Sequence, residues 1–350
     1  MEKIKSKIFR YPQCLPGIFL IVLILNTGCQ KNIDQQQQDA VGLSSQSNKS
    51  IKQKRNFVQT NLVANNTEYA GARVDRVLIN AWGLAWSTTG VAWIGAQGGH
   101  VSTVYNSEGV QIRPPVAIPS PGGATGGNPT GVVFSSSATD FKLPAPNGQP
   151  ARFLFVGVDG LLSGWNGTAG NFAVLIKNNV RTSAYTGLAI SSNGGANFLY
   201  AANFRASRID VFDKDFNTVS MSFTDPGLPA GYSPFNIQKV EDVLYVMYAK
   251  VGPDGRDQAG LGNGVVDIYT TGGMLVKRFV TNGQLDSPWG VAKAPASFFE
   301  DDDDADDDMQ GAILVGNFGN GRINAYRSDG KFIGELANHK TPIVIDELWA

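Results

Sequence analysis

The sequence predicts an all-β protein, a β-propeller that is six-bladed in plan with its last blade incomplete. Three observations lead to this fold class. A glycine that opens an apolar strand recurs at intervals near fifty residues, pairs of short strands recur between these glycines, and no segment has the periodicity of a long amphipathic helix. The 41 glycines and 17 prolines supply residues for the tight turns that such a fold needs.

The first element of each repeat is an apolar strand that begins around a glycine. It occurs in AWGLAW, PTGVVF, YTGLAI and PWGVAK, at Gly83, Gly131, Gly187 and Gly290. The successive intervals are 48, 56 and 103 residues, and the last spans two periods because Asn236 in SPFNI takes the glycine position of the skipped copy. A period near fifty residues is typical of propeller blades, each of which has four antiparallel strands.

The next two strands of a repeat form a hairpin whose copies agree residue by residue. LVGNF (314–318) and RINAY (322–326) match YAANF (200–204) and RIDVF (208–212). Small and apolar residues alternate along these segments, and Gly, Asn or Asp stand between them, which is typical of strands joined by tight turns. Each repeat is therefore predicted to be one four-stranded sheet.

The two ends of the globular part predict the blade count. Residues 57–63 look like the outer strand at 279–282, so we expect them to be the outer strand of the last blade. Residues 343–350 look like the start of another opening strand, since Ala350 lies 60 residues after Gly290. We therefore expect the sixth blade to be incomplete, and the edges of residues 57–63 and of the fifth blade to lie unpaired.

The chain begins with a predicted targeting segment. A basic stretch precedes the apolar run 18–25, which is too short to span a bilayer, and the run is followed by NTGC, which resembles a bacterial lipoprotein box ending at Cys29. We predict a lipoprotein-type signal peptide at 1–28, a disordered tether at 29–55 and the propeller at 56–350. The expected location is extracytoplasmic, anchored to a bacterial membrane by lipidated Cys29; the alternatives are a secreted chain or an uncleaved anchor.

Composition excludes several kinds of partner and site. Cys14 and Cys29 are the only cysteines and both lie in the leader, so a disulfide framework and a cysteine metal site are excluded from the mature chain. The net charge of −1 gives no basic field, so no nucleic-acid partner is expected. We expect a monomer that contacts the membrane only through its anchor and binds an unknown protein, glycan or small molecule.

No cofactor is predicted, and calcium is the one alternative. The acidic run at 300–308 lies in the loop after the fifth opening strand, where it reads as a solvated insert or as a weak Ca²⁺ site. An EF-hand register that starts at Asp304 fails, because it puts Met309 where glycine is needed. Asp213 begins a second calcium-like pattern, DKDFN, for which a hairpin turn is the better explanation.

Catalytic chemistry has few candidate residues. His100 and His339 are the only histidines, and no G-x-S-x-G motif is present. The alternative function is an extracytoplasmic, metal-assisted hydrolase or lyase that acts on a small molecule in the channel mouth. Its candidate metal ligands are Asp159, Asp210, Asp267 and Asp346, although these residues also fit as strand-end and turn acids.

Six motifs carry a resemblance to a known family. They are NAWGLAW, FLYAANFRASRIDVFD, FTDPGLPAGYSPFNIQ, SPWGVAKAPASF, LVGNFGNGRINAY and PIVIDELWA. Over residues 57–350 the chain resembles an uncharacterised family of exported bacterial proteins, associated with PEP-CTERM genomes and related to NHL-like propellers. The resemblance implies a six-bladed propeller of unassigned activity, in which members continue past the last Trp-Gly by about two strands.

The favoured function is a non-catalytic binding or scaffold module. Repeat equivalence predicts that the loops before the opening strands ring one mouth of the central channel, and the residues there are the candidate ligand contacts. These residues are Asn80, Asn128, Tyr185, Phe235, Ser287 and Asp346. Trp82, Trp289 and Trp349 stand at equivalent positions of their repeats, which favours packing between blades over a ligand platform.

Overall fold

The computed structural model describes residues 53–54, 57–295, 298 and 311–350. Within them the chain forms five consecutive sheets in which four strands pair antiparallel in sequence order. Such meanders, repeated along the chain, are the blades of a β-propeller. The all-β propeller class is confirmed, and the structure shows five blades.

The strands are numbered in chain order. Before the first blade come β1 (Gln53–Lys54), β2 (Val63–Ala64) and β3 (Arg73–Val74). Blade 1 comprises β4 (Ala81–Trp86), β5 (Ala92–Ala96), β6 (Val101–Tyr105) and β7 (Val116–Ala117). A small hairpin follows, formed by β8 (Pro119–Ser120) and β9 (Gly123–Gly126). Blade 2 comprises β10 (Pro129–Phe134), β11 (Phe153–Gly157), β12 (Leu161–Trp165), a 3-10 turn (Gly167–Ala169) and β13 (Val174–Asn178).

The remaining blades follow the same order. Blade 3 comprises β14 (Tyr185–Asn193), β15 (Ala196–Asn203), β16 (Arg208–Phe212) and β17 (Thr218–Val219). Blade 4 comprises β18 (Tyr232–Val240), β19 (Val243–Lys250), β20 (Gly264–Thr270) and β21 (Leu275–Thr281). Blade 5 comprises β22 (Pro288–Lys293), β23 (Ile313–Asn317), β24 (Ile323–Tyr326) and β25 (Phe332–Asn338), after which comes β26 (Thr341–Pro342).

Every opening strand contains a β-bulge at the same repeat position. The pairing of the opening strand with the second strand shifts by one residue just before the glycine, as between Pro129 and Gly131 or between Pro288 and Gly290. A one-residue shift also occurs in the other three blades, before Gly187, before Asn236 and between Ala81 and Leu84. A bulge places two residues opposite one and re-aims a side chain. The recurring glycine of the sequence therefore marks a bulge next to the propeller axis.

In blade 2 the glycine at this position, Gly131, is required by the close approach of the next blade. A Cβ atom on Gly131 would lie 2.6 Å from Leu188 N and 2.8 Å from a side-chain carbon of Val156, both too close for a real contact. Adjacent opening strands thus pack backbone against backbone, which a side chain would prevent.

We expect the Gly131→Ala substitution to lower the free energy of unfolding by about 2–3 kcal/mol, because the added methyl group overpacks a rigid contact. Urea unfolding followed by fluorescence measures it. Gly122→Ala is the matched control, since a Cβ there has no atom within 4 Å and the variant should unfold within about 0.5 kcal/mol of the native protein. Equal losses in both variants would contradict the close approach at Gly131.

The core consists of clusters between neighbouring blades. Leu154, Leu188 and Phe212 belong to one buried cluster, which combines residues of blades 2 and 3. Tyr200, Ile237 and Tyr269 belong to the next, which combines blades 3 and 4. Each sheet is therefore buried on both faces, which explains why its strands read as nearly continuous apolar runs.

The edge of blade 5 differs from the expectation of unpaired strands. The outer strand β25 pairs in parallel with β1 through Glu335 and Leu336, and it pairs antiparallel with β26 through Ala337 and Asn338. Residues 57–62 form no strand; the amide of Phe57 bonds to Ala337 O at 3.1 Å, and Asn61 O and Leu62 O accept from the amides of Ala72 and Arg73. The predicted outer strand at 57–63 is therefore wrong, because this end of the segment turns to the chain just after it, where β2 pairs with β3.

The predicted opening strand at 343–350 is also not formed. Val344 makes an isolated bridge to Arg322, and Ile345 N bonds to Gly321 O at 2.8 Å. Beyond these, Leu348 and Trp349 are buried. The segment thus follows the inner side of blade 5 without joining a sheet. No helix in the described ranges has the length and hydropathy needed to cross a membrane.

Candidate functional site

The propeller axis is blocked by a cluster of aromatic rings. The bulges of blades 1, 4 and 5 carry Trp82, Phe235 and Trp289, which form one buried cluster with Trp349 and Phe204. The ring of Trp349 stacks on that of Trp82 with centroids 3.4 Å apart and meets that of Trp289 edge-on at 5.9 Å. We call these rings the aromatic plug. Blades 2 and 3 carry threonines at the bulge, Thr130 and Thr186, which leave room for the rings.

Hydrogen bonds tie the aromatic plug to the strands around it. Trp289 Nε1 donates to Thr186 O at 3.0 Å, and Asn236 Nδ2 donates to Trp289 O at 2.8 Å. Trp349 Nε1 donates to Asn80 Oδ1 at 3.1 Å. These bonds link blades 3, 4 and 5, and the last joins the C-terminal segment to blade 1. The prediction that the repeated tryptophans serve packing between blades agrees with this arrangement.

Two of the predicted ligand contacts meet at the mouth above the aromatic plug. Asn80 Nδ2 donates to Gln97 Oε1 at 3.0 Å, and Gln97 Nε2 donates to Asn128 Oδ1 at 3.0 Å. Gln97 belongs to the turn after β5. It was not among the predicted ligand contacts, although its position at the end of a hairpin strand could have indicated that it lies at the mouth. Asp346 is exposed. The side-chain amides of Asn80, Gln97 and Asn128 therefore form a hydrogen-bonded row at this mouth, beside blades 1 and 2.

The other three predicted contacts are buried. Tyr185 is enclosed and its hydroxyl donates to Asp210 Oδ2 at 3.2 Å, Phe235 lies in the aromatic plug, and Ser287 has no exposed surface. The repeat arithmetic placed them correctly at the starts of opening strands, but the alternation of side chains and the bulge turn them inward. The ligand-binding role of the six residues stays a prediction.

On the far side of the aromatic plug the axis opens into a cavity of about 270 Å³, which we call the axial cavity. Its wall consists of the second halves of the opening strands of blades 1 to 4, and its inner end is closed by Asn236, Trp289 and Ala350. Leu84 and Trp86 lie at its rim with 37% and 52% of their surface exposed. Of the lining residues only Lys239 is charged. The axial cavity thus combines apolar side chains with polar backbone and amide groups, and the sequence did not predict it.

The four aspartates considered as metal ligands each have a separate setting. Asp159 Oδ2 accepts a hydrogen bond from the backbone amide of Asn128, and Asp210 Oδ1 accepts one from Arg208 Nε at 2.6 Å. Asp267 is enclosed in blade 4, where burial raises its pKa to about 7. Among the described residues no three His, Cys, Asp or Glu side chains come together as a metal site. The structure therefore does not bring these aspartates into one constellation.

Other sequence features have simple outcomes. Asp213 Oδ1 accepts from the amides of Asp215 and Asn217, so the calcium-like pattern DKDFN is a hairpin turn between β16 and β17, as expected. The acidic run at 300–308 lies outside the described residues, and calcium binding there stays a prediction. The leader, Cys29 and the tether up to residue 52 also lie outside them, so lipidation stays a prediction.

Comparison with known proteins identifies viral relatives. No family model matches the chain. An uncharacterised protein of Acanthamoeba polyphaga mimivirus is 29% identical over 300 residues, which cover 82% of this chain and 71% of that protein. A second uncharacterised protein of the same virus is 29% identical over 304 residues, covering 82% and 76%.

These relatives are viral proteins, which contradicts the predicted resemblance to a family of exported bacterial proteins. The motifs behind the resemblance, such as PWGVAK and LVGNF, are opening strands and hairpins. Their residue types follow from blade packing, so they report the fold and carry little information on the source.

Solved structures with a similar fold are distant in sequence. Virginiamycin B lyase from Staphylococcus aureus is 15% identical with a TM-score of 0.47, over 73% of this chain and 70% of that one. A protein of unknown function from Bacteroides caccae is 10% identical with a TM-score of 0.44, over 73% and 81%. Identities and TM-scores this low give no information on activity or ligand.

Proposed function

We propose that the protein is a binding module that holds the apolar part of a small molecule in the axial cavity. The observation that carries this proposal is the axial cavity itself, which offers apolar side chains of the opening strands, such as Leu84, Val132 and Ile237, together with polar backbone and amide groups. Its volume of about 270 Å³ is close to the lower end of ligand pockets, which begin at about 300 Å³. Burial of apolar ligand surface there supplies the binding free energy.

The position of the rim residues supports entry of the ligand from the end of the axis opposite to the mouth at Asn80 and Asn128. The aromatic plug fills the axis below Asn80 and Asn128, whereas Leu84 and Trp86 remain accessible at the other end. Lys239 is exposed at the same rim and offers a cation to an acidic group on the ligand. The ligand class is therefore an apolar molecule, with an anionic substituent at the solvent end.

The test uses 1-anilinonaphthalene-8-sulfonate, an apolar fluorophore with one sulfonate. We expect the native protein to bind it, and the Leu84→Glu variant to bind at least tenfold more weakly, because a carboxylate at the rim opposes both apolar contact and the sulfonate. Leu261→Glu is the matched control, since Leu261 is 59% exposed and does not line the axial cavity. If both variants bind the dye like the native protein, the axial cavity is not the site.

We also propose that the fold follows a six-blade plan. The support is that Trp349 and Ala350 take the place of a sixth opening strand. A Cβ on Gly290 would lie 3.1 Å from Trp349 O, much as one on Gly83 would lie 2.6 Å from Thr130 O of the next blade. Trp349 then stacks on Trp82 of blade 1, so it stands between the fifth blade and the first.

A further inference from the structure

A second cavity lies between blades 3 and 4, away from the axis. It has a volume of about 330 Å³ and is bounded by the start of β16, by the irregular segment 220–231 that leads to blade 4, and by Tyr248. Ile209, Met221 and Leu228 form its apolar wall and belong to the cluster between the two blades. We call it the interblade pocket.

Some polar groups of the interblade pocket already have hydrogen-bond or ion-pair partners within the protein, and others do not. Asp225 accepts from the amide of Gly227 and forms an ion pair with Arg278, so both of its oxygens are engaged. The hydroxyl of Tyr248 pairs with that of Tyr269 at 2.9 Å. Arg208 uses Nε to bind Asp210 at 2.6 Å, and its side chain remains 61% exposed. In the part of the chain that the structure describes, the two terminal nitrogens of Arg208 make no hydrogen bond.

The internal repeat shows what is missing beside Arg208. RIDVF in blade 3 matches RINAY in blade 5, so Arg208 corresponds to Arg322. In blade 5 the terminal nitrogen Nη1 of Arg322 lies 3.0 Å from each carboxylate oxygen of Glu335. Glu335 stands on the outer strand, opposite Asn324.

Blade 3 has no glutamate at this position; its Arg208 binds Asp210, the residue equivalent to Asn324, through Nε alone. Val211 pairs with Val219 as Ala325 pairs with Gly334, so the residue in the place of Glu335 is Ser220. At that point the chain leaves the sheet, and the interblade pocket occupies the adjacent space. Arg208 therefore faces a pocket at the position where its counterpart holds a glutamate.

We propose that the interblade pocket binds a small carboxylic acid with an apolar body, whose carboxylate replaces the missing glutamate at Arg208. A guanidinium offers a planar pair of donors that matches a carboxylate. Because Asp225 is fully engaged, a ligand that brings acceptors is favoured over one that brings donors. The pocket is distinct from the axial cavity, so this inference goes beyond the binding function proposed above.

The probe is hexanoate, measured by isothermal titration calorimetry with hexanamide as its neutral counterpart. We expect the native protein to bind hexanoate at least tenfold more tightly than hexanamide. Arg208→Gln should lower the affinity for hexanoate at least tenfold, and Arg208→Lys should lower it less. Arg205→Gln is the matched control, since Arg205 is a neighbouring exposed arginine that bonds only to a backbone carbonyl, Val180 O. It should leave hexanoate binding within twofold.

A second variant separates ligand recognition from a loss of folding. Ser220→Glu restores the acid of blade 5, and Ser220 is exposed, so the variant should fold normally with an unchanged or higher melting temperature. We expect this variant to abolish hexanoate binding, because the new carboxylate would bind the guanidinium of Arg208. Hexanoate binding that survives both Arg208→Gln and Ser220→Glu would overturn the proposal, as would the absence of binding to the native protein. A loss on Leu84→Glu instead would assign hexanoate to the axial cavity.

Discussion

The Trp349→Ala variant is expected to unfold with a free energy lower than that of the native protein by about 3–5 kcal/mol, the usual cost of removing a large buried aromatic side chain. Trp349 is 7% exposed and stacks on Trp82 of blade 1 and on Phe318 in the turn after β23 of blade 5, with centroids 3.4 and 4.0 Å apart. Its loss also leaves Asn80 Oδ1 without the indole donor. The first and fifth blades would then lose the ring that lies between them, while the edge contact of Trp82 with Trp289, with centroids 6.3 Å apart, would remain.

Urea unfolding monitored by far-ultraviolet circular dichroism measures this effect. Trp86→Ala is the matched control, because Trp86 is 52% exposed at the rim of the axial cavity and its removal should cost less than about 1 kcal/mol. Similar losses of unfolding free energy for the two variants would mean that Trp349 does not hold the first and fifth blades of the propeller together. They would also remove the main support for the six-blade plan.

The second large effect is a pH dependence that arises from Asp267. Its side chain is fully buried in β20, where burial raises its pKa to about 7, although Tyr269 donates a hydrogen bond to one carboxylate oxygen and Arg278 Nε lies 3.5 Å from the other. In the unfolded chain an aspartate titrates near 3.9. Between about pH 4 and pH 7 the folded protein therefore keeps a proton that the unfolded chain has lost, so stability falls as the pH rises through this window. A shift of three units corresponds to about 4 kcal/mol.

The Asp267→Asn variant tests this pH dependence because its amide stays neutral. We expect the free energy of unfolding of the variant, relative to the native protein, to rise by about 3–4 kcal/mol from pH 4 to pH 8. Asp242→Asn, at an exposed position in the turn before β19, is the control and should give a pH profile parallel to the native one. A parallel profile for Asp267→Asn as well would show that Asp267 is charged throughout.

Much of the fold could be predicted because blades are local structures. Each blade is a meander whose turns, strand alternation and opening glycine lie within about fifty residues, so repeat arithmetic located all five opening strands. Contacts between distant segments could not be predicted in this way. The edge of β25 is paired by β1 and β26, and no local pattern distinguishes these short segments from residues 57–63.

The candidate sites were predicted only in part for the same reason. Repeat equivalence placed Asn80 and Asn128 at one mouth, but the bulge and the alternation decided that Tyr185, Phe235 and Ser287 are buried. The axial cavity depends on how far four separate strands stand from the axis. The interblade pocket had a sequence signal, Ser220 at the position where blade 5 has Glu335, but this equivalence becomes visible only when strand register aligns the two blades.

The sequence by itself determined that the protein is all-β, that its repeat is a four-stranded blade, and that glycine or asparagine stands at each axial bulge. These properties depend on interactions between residues close in the chain, or on the steric limit at one backbone position. Only the tertiary structure decided how the ring is closed, which mouth is blocked and where the cavities lie. Those features arise where blades meet, and they depend on the volumes of side chains such as Trp82 and Trp349, which are far apart in sequence and stack at the axis.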